Sequence, residues 1–187
     1  MKKNQKNNYF CKMEISYLLL GGNVGDRMEY LRRSVELLER DAGNVIAISS
    51  VYESEPWGFD HPQWFLNQAV ALETNLSPPN LLEKIRRIEN TLGRQRTTCG
   101  YQARTIDIDI ILYANLAFNS PELVIPHPRM TERLFVMLPM AELAPNVKHP
   151  QLNLTMTQLR ENCSDAKQAR KFNKFRFTTL SHLPSPL

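Results

Sequence analysis

Asp107 and Asp109 stand two residues apart in the stretch Ala103-Arg104-Thr105-Ile106-Asp107-Ile108-Asp109-Ile110-Ile111-Leu112. β-Branched residues dominate it and polar residues alternate with apolar ones, which predicts a strand. Successive strand side chains point to opposite faces, so Thr105, Asp107 and Asp109 share one face while Ile106, Ile108 and Ile110 share the other. Two carboxylates roughly 6–7 Å apart on rigid backbone repel one another unless a positive charge sits between or above them. A hard divalent cation answers that need, because Mg²⁺ takes carboxylate oxygens and substrate phosphates together. The competing reading is a solvent-facing edge strand with two inert acids. Aspartate is depleted in strands, and two at period two inside an isoleucine run favour the cation.

Positive charge is available nearby. Arg94, Arg96 and Arg104 flank a loop with no acid between the first and the last, and Arg86 and Glu89 lie one turn apart on the helix before it. Arginine forks hold phosphate bidentately and keep their charge at any working pH. Beside the two aspartates, such a cluster predicts a site for a nucleoside triphosphate. His127, between Pro126 and Pro128, is either a hydrogen-bonded turn residue or a phosphate contact. Phe65 and Asn67 share a strand face, so a ring and an amide point the same way, an arrangement that can stack on and hydrogen-bond a flat heterocycle. Trp57, Phe65 and Phe135 each fit a core equally well. Gly21-Gly22-Asn23-Val24-Gly25-Asp26 lacks the lysine and hydroxyl of a P-loop and reads as a tight turn.

The elements that must position these groups follow from periodicity. Ile15–Leu20 is a buried strand, and Asp26 caps a helix whose apolar stripe is Met28, Leu31, Val35 and Leu38, closed by Gly43. Val45–Val51 and Trp64–Leu72 read as further strands. Ser77-Pro78 opens a helix with core positions Leu81, Ile85, Ile88 and Leu92. With the aspartate strand the order is βαββαβ. That predicts an α+β, ferredoxin-like antiparallel sheet with two helices on one face. A turn near Asn119 and a short helix from Thr131 to Pro139 extend it as a C-terminal hairpin and helix. Residues 1–13 are expected to be a flexible extension, 14–160 the domain, and 161–187 a basic tail outside the catalytic core, with deletion from about Ala166 onward expected to leave activity nearly unchanged.

A chain of 187 residues with 42% hydrophobic content supports one globular domain, and its net charge of +4 suits an anionic partner. Three cysteines without C-x-x-C spacing predict neither a disulfide framework nor a zinc site and fit a reducing cytoplasm. There is no apolar signal-peptide region and no apolar run of membrane-spanning length.

Taken together, these residues resemble the 6-hydroxymethyl-7,8-dihydropterin pyrophosphokinase family of folate biosynthesis. The likeness runs from about Ile15 to about Leu159 and is most specific at 103–112. Leu-Gly-Gly-Asn at 20–23, Phe-Leu-Asn at 65–67, Gly-Arg-Gln-Arg at 93–96 and Pro-His-Pro-Arg-Met at 126–130 support it. The resemblance implies transfer of the β,γ-diphosphate of ATP to the pterin hydroxymethyl group, with release of AMP. It implies two Mg²⁺ ions on Asp107 and Asp109, and Arg94 and Arg104 acting on the phosphates. Arg86, Glu89, Arg96, Tyr101, His127 and Arg133 would surround ATP. Phe65 and Phe135 would sandwich the pterin, with Asn67, Ser54 and Trp57 reading its edge. A monomer without nucleic-acid or membrane partners is expected. Gln102-Ala103 stands where many members have Gly-Pro, and Glu55 where some have proline. The runner-up is a non-catalytic ferredoxin-like module binding a nucleotide or RNA; the sequence Trp64-Phe65-Leu66-Asn67-Gln68 lacks the RNA-recognition signature.

Overall fold

The computed structural model describes residues 12–94 and 102–172. In chain order the elements are β1 (Glu14–Gly22), α1 (Arg27–Asp41), β2 (Asn44–Ile48), β3 (Tyr52–Ser54), β4 (Phe65–Thr74), α2 (Pro78–Thr91), β5 (Asp107–Tyr113), β6 (Phe118–Asn119), β7 (Val124–Ile125), a 3₁₀ turn (Met130–Glu132), α3 (Leu134–Leu143), α4 (Met156–Glu161) and β8 (Ala169–Lys171). The main sheet runs β5-β1-β4-β3-β8, with β2 also paired to β4, and every pairing is antiparallel. The α+β class is as expected. β6 and β7 form a separate hairpin.

The strand expected over 45–51 ends at Ile48, and a further strand, β3, begins beyond it at Tyr52; both lie along β4. Ser49 interrupts them: its Oγ accepts from Ala69 N at 2.9 Å, and its carbonyl accepts from the Gln68 side chain at 2.9 Å. Side-chain bonds of this kind compete with a regular ladder. α1 starts as predicted, with the Asp26 carboxylate accepting from Glu29 N at 3.1 Å. Ser77 occupies the cap position of α2, but its side chain makes no cap bond.

Helices cover both faces of the sheet, not one. Leu31, Val35 and Leu38 of α1 and Leu81, Ile85 and Ile88 of α2 pack on Leu18, Leu20, Leu66, Val70, Ile106, Ile108 and Ile110. The opposite face carries Tyr17, Leu19, Ala69, Ala71, Ile111 and Leu112 under α3 and α4. Each fully buried leucine or isoleucine is worth about 1.5–3 kcal/mol. A bulge explains the unbroken apolar end of β5. Tyr17 pairs Leu112 and Leu18 pairs Ile110, so Ile111 is the extra residue, and both Ile111 and Leu112 join the second core. The covered face also removes the open sheet on which an RNA-binding module of this class stacks bases.

Two further expectations are corrected. The short helix ending at Pro139 is instead a 3₁₀ turn followed by α3, which contains Pro139. The proline denies the Phe135 carbonyl its helical donor, and the buried apolar surface of α3 outweighs that loss. The segment from Glu161 onward is not wholly outside the core. β8 extends the sheet beside β3, and Phe172 packs against the first core. Among the described residues, no helix is long and apolar enough to cross a membrane.

Candidate active site

The registers of β1 set the site. Gly21 pairs Asn67 on β4 and Asp107 on β5, while Leu19 pairs Ala69 and Asp109. Asn67, Gly21 and Asp107 therefore form a row across three strands, roughly 10 Å from end to end at two strand spacings. Glycine in the middle leaves a floor without a side chain; a Cβ there would come within 3.0 Å of Asn67 Oδ1. Gly22 is required for a different reason. A Cβ on it would fall 2.2 Å from the Thr105 carbonyl, so only glycine lets this turn lie against the segment leading into β5. The next residue exploits that approach. Asn23 N donates to the Arg104 carbonyl at 3.0 Å, and its Oδ1 accepts from Arg104 N at 2.9 Å. Its amide also donates to the Gln63 carbonyl at 3.2 Å.

Charge is concentrated at one end of the row. Arg94 bridges Glu89 and Asp107, and Arg104 pairs with the other Asp107 oxygen at 2.9 Å. Glu89 is 0% exposed and also accepts from Ile108 N at 2.9 Å, so α2 is pinned to β5 through a buried carboxylate. Burial, and then the charge of Asp107, push the Asp109 carboxyl up to about 7. Both aspartates line a cleft of about 360 Å³ with Arg86, Arg94, Glu122 and His127. Burial first, then Arg133 and Arg129, push His127 down to about 4. Its Nδ1 accepts from Arg129 N at 3.3 Å, so the neutral ring keeps its other nitrogen protonated.

A cation fits this arrangement. Among the described residues, no three His, Cys, Asp or Glu side chains group to hold a metal by themselves. Mg²⁺ needs only one or two carboxylates when substrate phosphates complete its shell. Burial first, and the charge of Asp107 second, penalise the ionised form of Asp109, a penalty that such an ion would relieve.

The other end of the row is aromatic. Ser54, Glu55, Trp57, Phe59, Phe65, Arg104, Arg133 and Phe135 line a slot of about 30 Å³, the room of one or two waters. Its own guanidinium groups fill it. Arg133 lies 4.4 Å from the Trp57 ring centre and 5.7 Å from that of Phe135, and Arg104 lies 5.3 Å over Phe65. Ser54 Oγ accepts from the Asn67 amide at 2.9 Å beneath them. Arg104 thus belongs to both ends, lining the slot and pairing with Asp107. Its Nε and the Thr105 hydroxyl are buried without hydrogen-bond partners among the described residues.

A family model for 7,8-dihydro-6-hydroxymethylpterin-pyrophosphokinase matches residues 17–145, which hold the whole row and both clefts. The chain belongs to this family. The 2-amino-4-hydroxy-6-hydroxymethyldihydropteridine pyrophosphokinase of Bacillus subtilis is 45% identical over 135 residues, covering 72% of this chain and 80% of its own length. That of Porphyromonas gingivalis is 44% identical over 142 residues, covering 74% of this chain and 96% of its own. A crystal structure of Plasmodium falciparum HPPK-DHPS with pteroate superposes with a TM-score of 0.68 at 17% identity, over 81% of this chain and 44% of that one, a likeness of fold alone. The enzyme is a pyrophosphokinase of folate biosynthesis.

Within the pyrophosphokinase, Asp107, Asp109, Arg86, Arg94 and His127 come together in the charged cleft, and Ser54, Trp57, Phe65 and Phe135 in the slot. Two residues expected around ATP are not among those lining the charged cleft. Glu89 is fully buried and lies beneath it, bound to Arg94 and to the Ile108 backbone. Arg133 lies in the aromatic slot because the start of α3 aims it at Trp57. Arg86 pairs with Glu122 at 2.7 Å. Arg96 and Tyr101 lie outside the described residues. The sequence reading missed Asn23 and Phe59, whose ring meets Phe65 edge-on at 6.1 Å. Asparagine directly after a glycine pair was the available signal for Asn23. Phe59, inside a Pro/Gly-rich loop, offered none.

Proposed function

We propose that the enzyme transfers the β,γ-diphosphate of ATP as one unit to the hydroxymethyl oxygen of 6-hydroxymethyl-7,8-dihydropterin and releases AMP. The observation that carries this reading is the junction at Arg104: an aromatic slot and a charged cleft meet on one sheet face, roughly two strand spacings apart. A flat heterocycle stacked between Phe65 and Phe135, its polar edge toward Asn67 and Ser54, would point its substituent along the glycine floor toward Asp107. The order β5-β1-β4-β2 supports a ferredoxin-like plan for the core.

Asp107 and Asp109 would hold two Mg²⁺ ions. Bound there, the ions would neutralise phosphate charge and lower the pKa of the attacking hydroxyl. The remaining work falls to the chain's own residues. Arg94 and Arg104, now spent on Asp107, would turn to phosphate oxygens and stabilise charge developing on the transferred group. Buried Glu89 keeps Arg94 in place during that exchange. Neutral His127 offers its ring N–H to a phosphate oxygen without adding charge. Attack at the β-phosphorus requires the hydroxyl and the α,β-bridging oxygen in line, which is a demand on positioning rather than on a side-chain base. We infer a cytoplasmic monomer that binds neither nucleic acid nor membrane.

Product analysis tests the reading. With ATP, Mg²⁺ and the reduced pterin alcohol, AMP and the pterin diphosphate should accumulate in equal amounts with little ADP. Stoichiometric ADP with a pterin monophosphate would overturn it.

A further inference from the structure

We propose that the C-terminal segment 165–172 is a positioning element for the aromatic slot, an inference that rests on that slot being the pterin site. The segment lies beyond the span matched by the family model. It is attached at two places, and each touches a wall of the slot.

The first attachment is at α3. Asp165 Oδ2 accepts from Leu134 N at 2.9 Å. Leu134 is the first residue of α3, and the residue in the cap position, Arg133, makes no side-chain cap bond. The first N–H groups of a helix have no partners within it, and a carboxylate there also faces the positive end of the helix dipole. Asp165 therefore caps α3 from outside. The capped residue stands between Arg133 and Phe135, the two side chains that α3 contributes to the slot.

The second attachment is at β3. Ala169 pairs Ser54 in the β8–β3 ladder, and Glu55 N donates to the Gln168 carbonyl at 3.1 Å. Ser54 and Glu55 both line the slot. β3 has only three residues, and without β8 it would be the edge of the sheet. The ion pairs along the segment, Lys167 with Glu55 at 3.8 Å, Arg170 with Glu53 at 3.3 Å and Lys171 with Glu142 at 3.1 Å, involve exposed cations and add little. The ladder, the cap and the packing of Phe172 against the core do the holding.

Loss of a purely stabilising strap would lower the melting point and leave substrate discrimination alone. A positioning strap acts chiefly on the pterin side, because its hydrogen bonds go to β3 and to the start of α3, whereas the charged cleft is lined from α2, β5 and the β6–β7 hairpin.

The test compares Asp165→Ala, Asp165→Asn and a chain ending at Ser164, each read for kcat, for the two KM values, for thermal midpoint and for hydrogen exchange at Ser54, Glu55, Leu134 and Phe135. Asp165→Ala should raise the pterin KM about fivefold to tenfold while the ATP KM stays within about twofold, the signature of a lost ground-state contact on one substrate. Asp165→Asn, which still offers an oxygen, should restore it. The truncated chain should lose more, and exchange at Leu134 and Phe135 should quicken in both the Ala variant and the truncation. Equal movement of both KM values, or a lower melting point with both unchanged, would overturn the proposal. If the wild-type enzyme turns over no pterin alcohol, the functional reading fails instead; exchange at Leu134 and Phe135 then decides the positioning claim, and unchanged exchange in Asp165→Ala overturns it.

Discussion

The charged cleft and the aromatic slot share a sheet face and differ in how they are held. The cleft stands on a strand paired along β1 and on α2, locked together by a buried carboxylate that grips both Arg94 and the β5 backbone. The slot is assembled from a three-residue strand, the first residue of β4, a Pro/Gly-rich loop and the start of α3, and it is packed with its own arginine side chains. The contrast fits the work proposed for each. Stabilising charge in a transition state requires dipoles and ions already in place, since reorganising them would add to the barrier. Stacking is broad in geometry, so an aromatic pocket tolerates rearrangement when its ligand enters. On the proposed reading, one end of the site has its backbone frame fixed before ligands arrive, and the other would be completed by the substrate.

The largest effect should come from the carboxylates. Asp107→Asn or Asp109→Asn should reduce kcat by at least about a hundredfold to a thousandfold while the fold remains, because the charge that recruits and places the cation is gone. Near wild-type turnover at saturating Mg²⁺ in both variants would break the comparison at its firm end.

The arginines sharpen it. Arg94→Ala and Arg104→Ala should each cost about 2–4 kcal/mol of transition-state stabilisation, seen more in kcat than in the ATP KM. They should differ in stability. Removing Arg94 strands Glu89, 0% exposed, without its guanidinium, and breaking such a pair typically costs about 3–5 kcal/mol. Arg104 is 24% exposed at its side chain and should cost far less. Chemical denaturation of the two variants checks this, and Glu89→Gln in the Arg94→Ala background should recover part of the loss.

On the slot side, Phe65→Ala and Phe135→Ala should raise the pterin KM by roughly tenfold and leave ATP affinity within about twofold. Steady-state kinetics with each substrate varied in turn would show it. A matching loss of ATP affinity would mean the two ends are not separable.

The smallest effect is a pH dependence with two opposing parts. Asp109, pushed up to about 7 chiefly by burial, holds a proton in the folded chain that the unfolded chain releases near 4. Its stabilising contribution is full below about pH 4 and is lost as pH rises through about 7. His127, pushed down to about 4 chiefly by burial, acts in the other direction, with stability present above about 6.5 and lost as pH falls toward 4. In a chelating buffer the melting point of Asp109→Asn should therefore rise more steeply between pH 4.5 and 6.5 (roughly the span between the two shifted values) than that of wild type, and His127→Gln should reverse the slope. Added Mg²⁺ should stabilise wild type more at pH 8 than at pH 5, since the ion competes with the Asp109 proton.

Much of the site was legible before any tertiary information. Alternation alone put Asp107 and Asp109 on one face and three isoleucines on the other, because a strand leaves a side chain no other choice. Asp26 and Gly43 bounded α1 because capping is local chemistry. Tertiary structure alone decided matters that depend on distant partners. Local periodicity says which face of an element is apolar but not what will cover it, so the sequence could not show that α3 and α4 close the second face. It could not show that Gly21 would separate Asn67 from Asp107, since strand register is set between segments. Glu89 was expected beside ATP on one helix face with Arg86, and only the approach of β5 to α2 buried it and made it the holder of Arg94. The polar, basic segment after Glu161 looked like a solvated tail; its backbone donors and acceptors found β3, a pairing that composition does not encode.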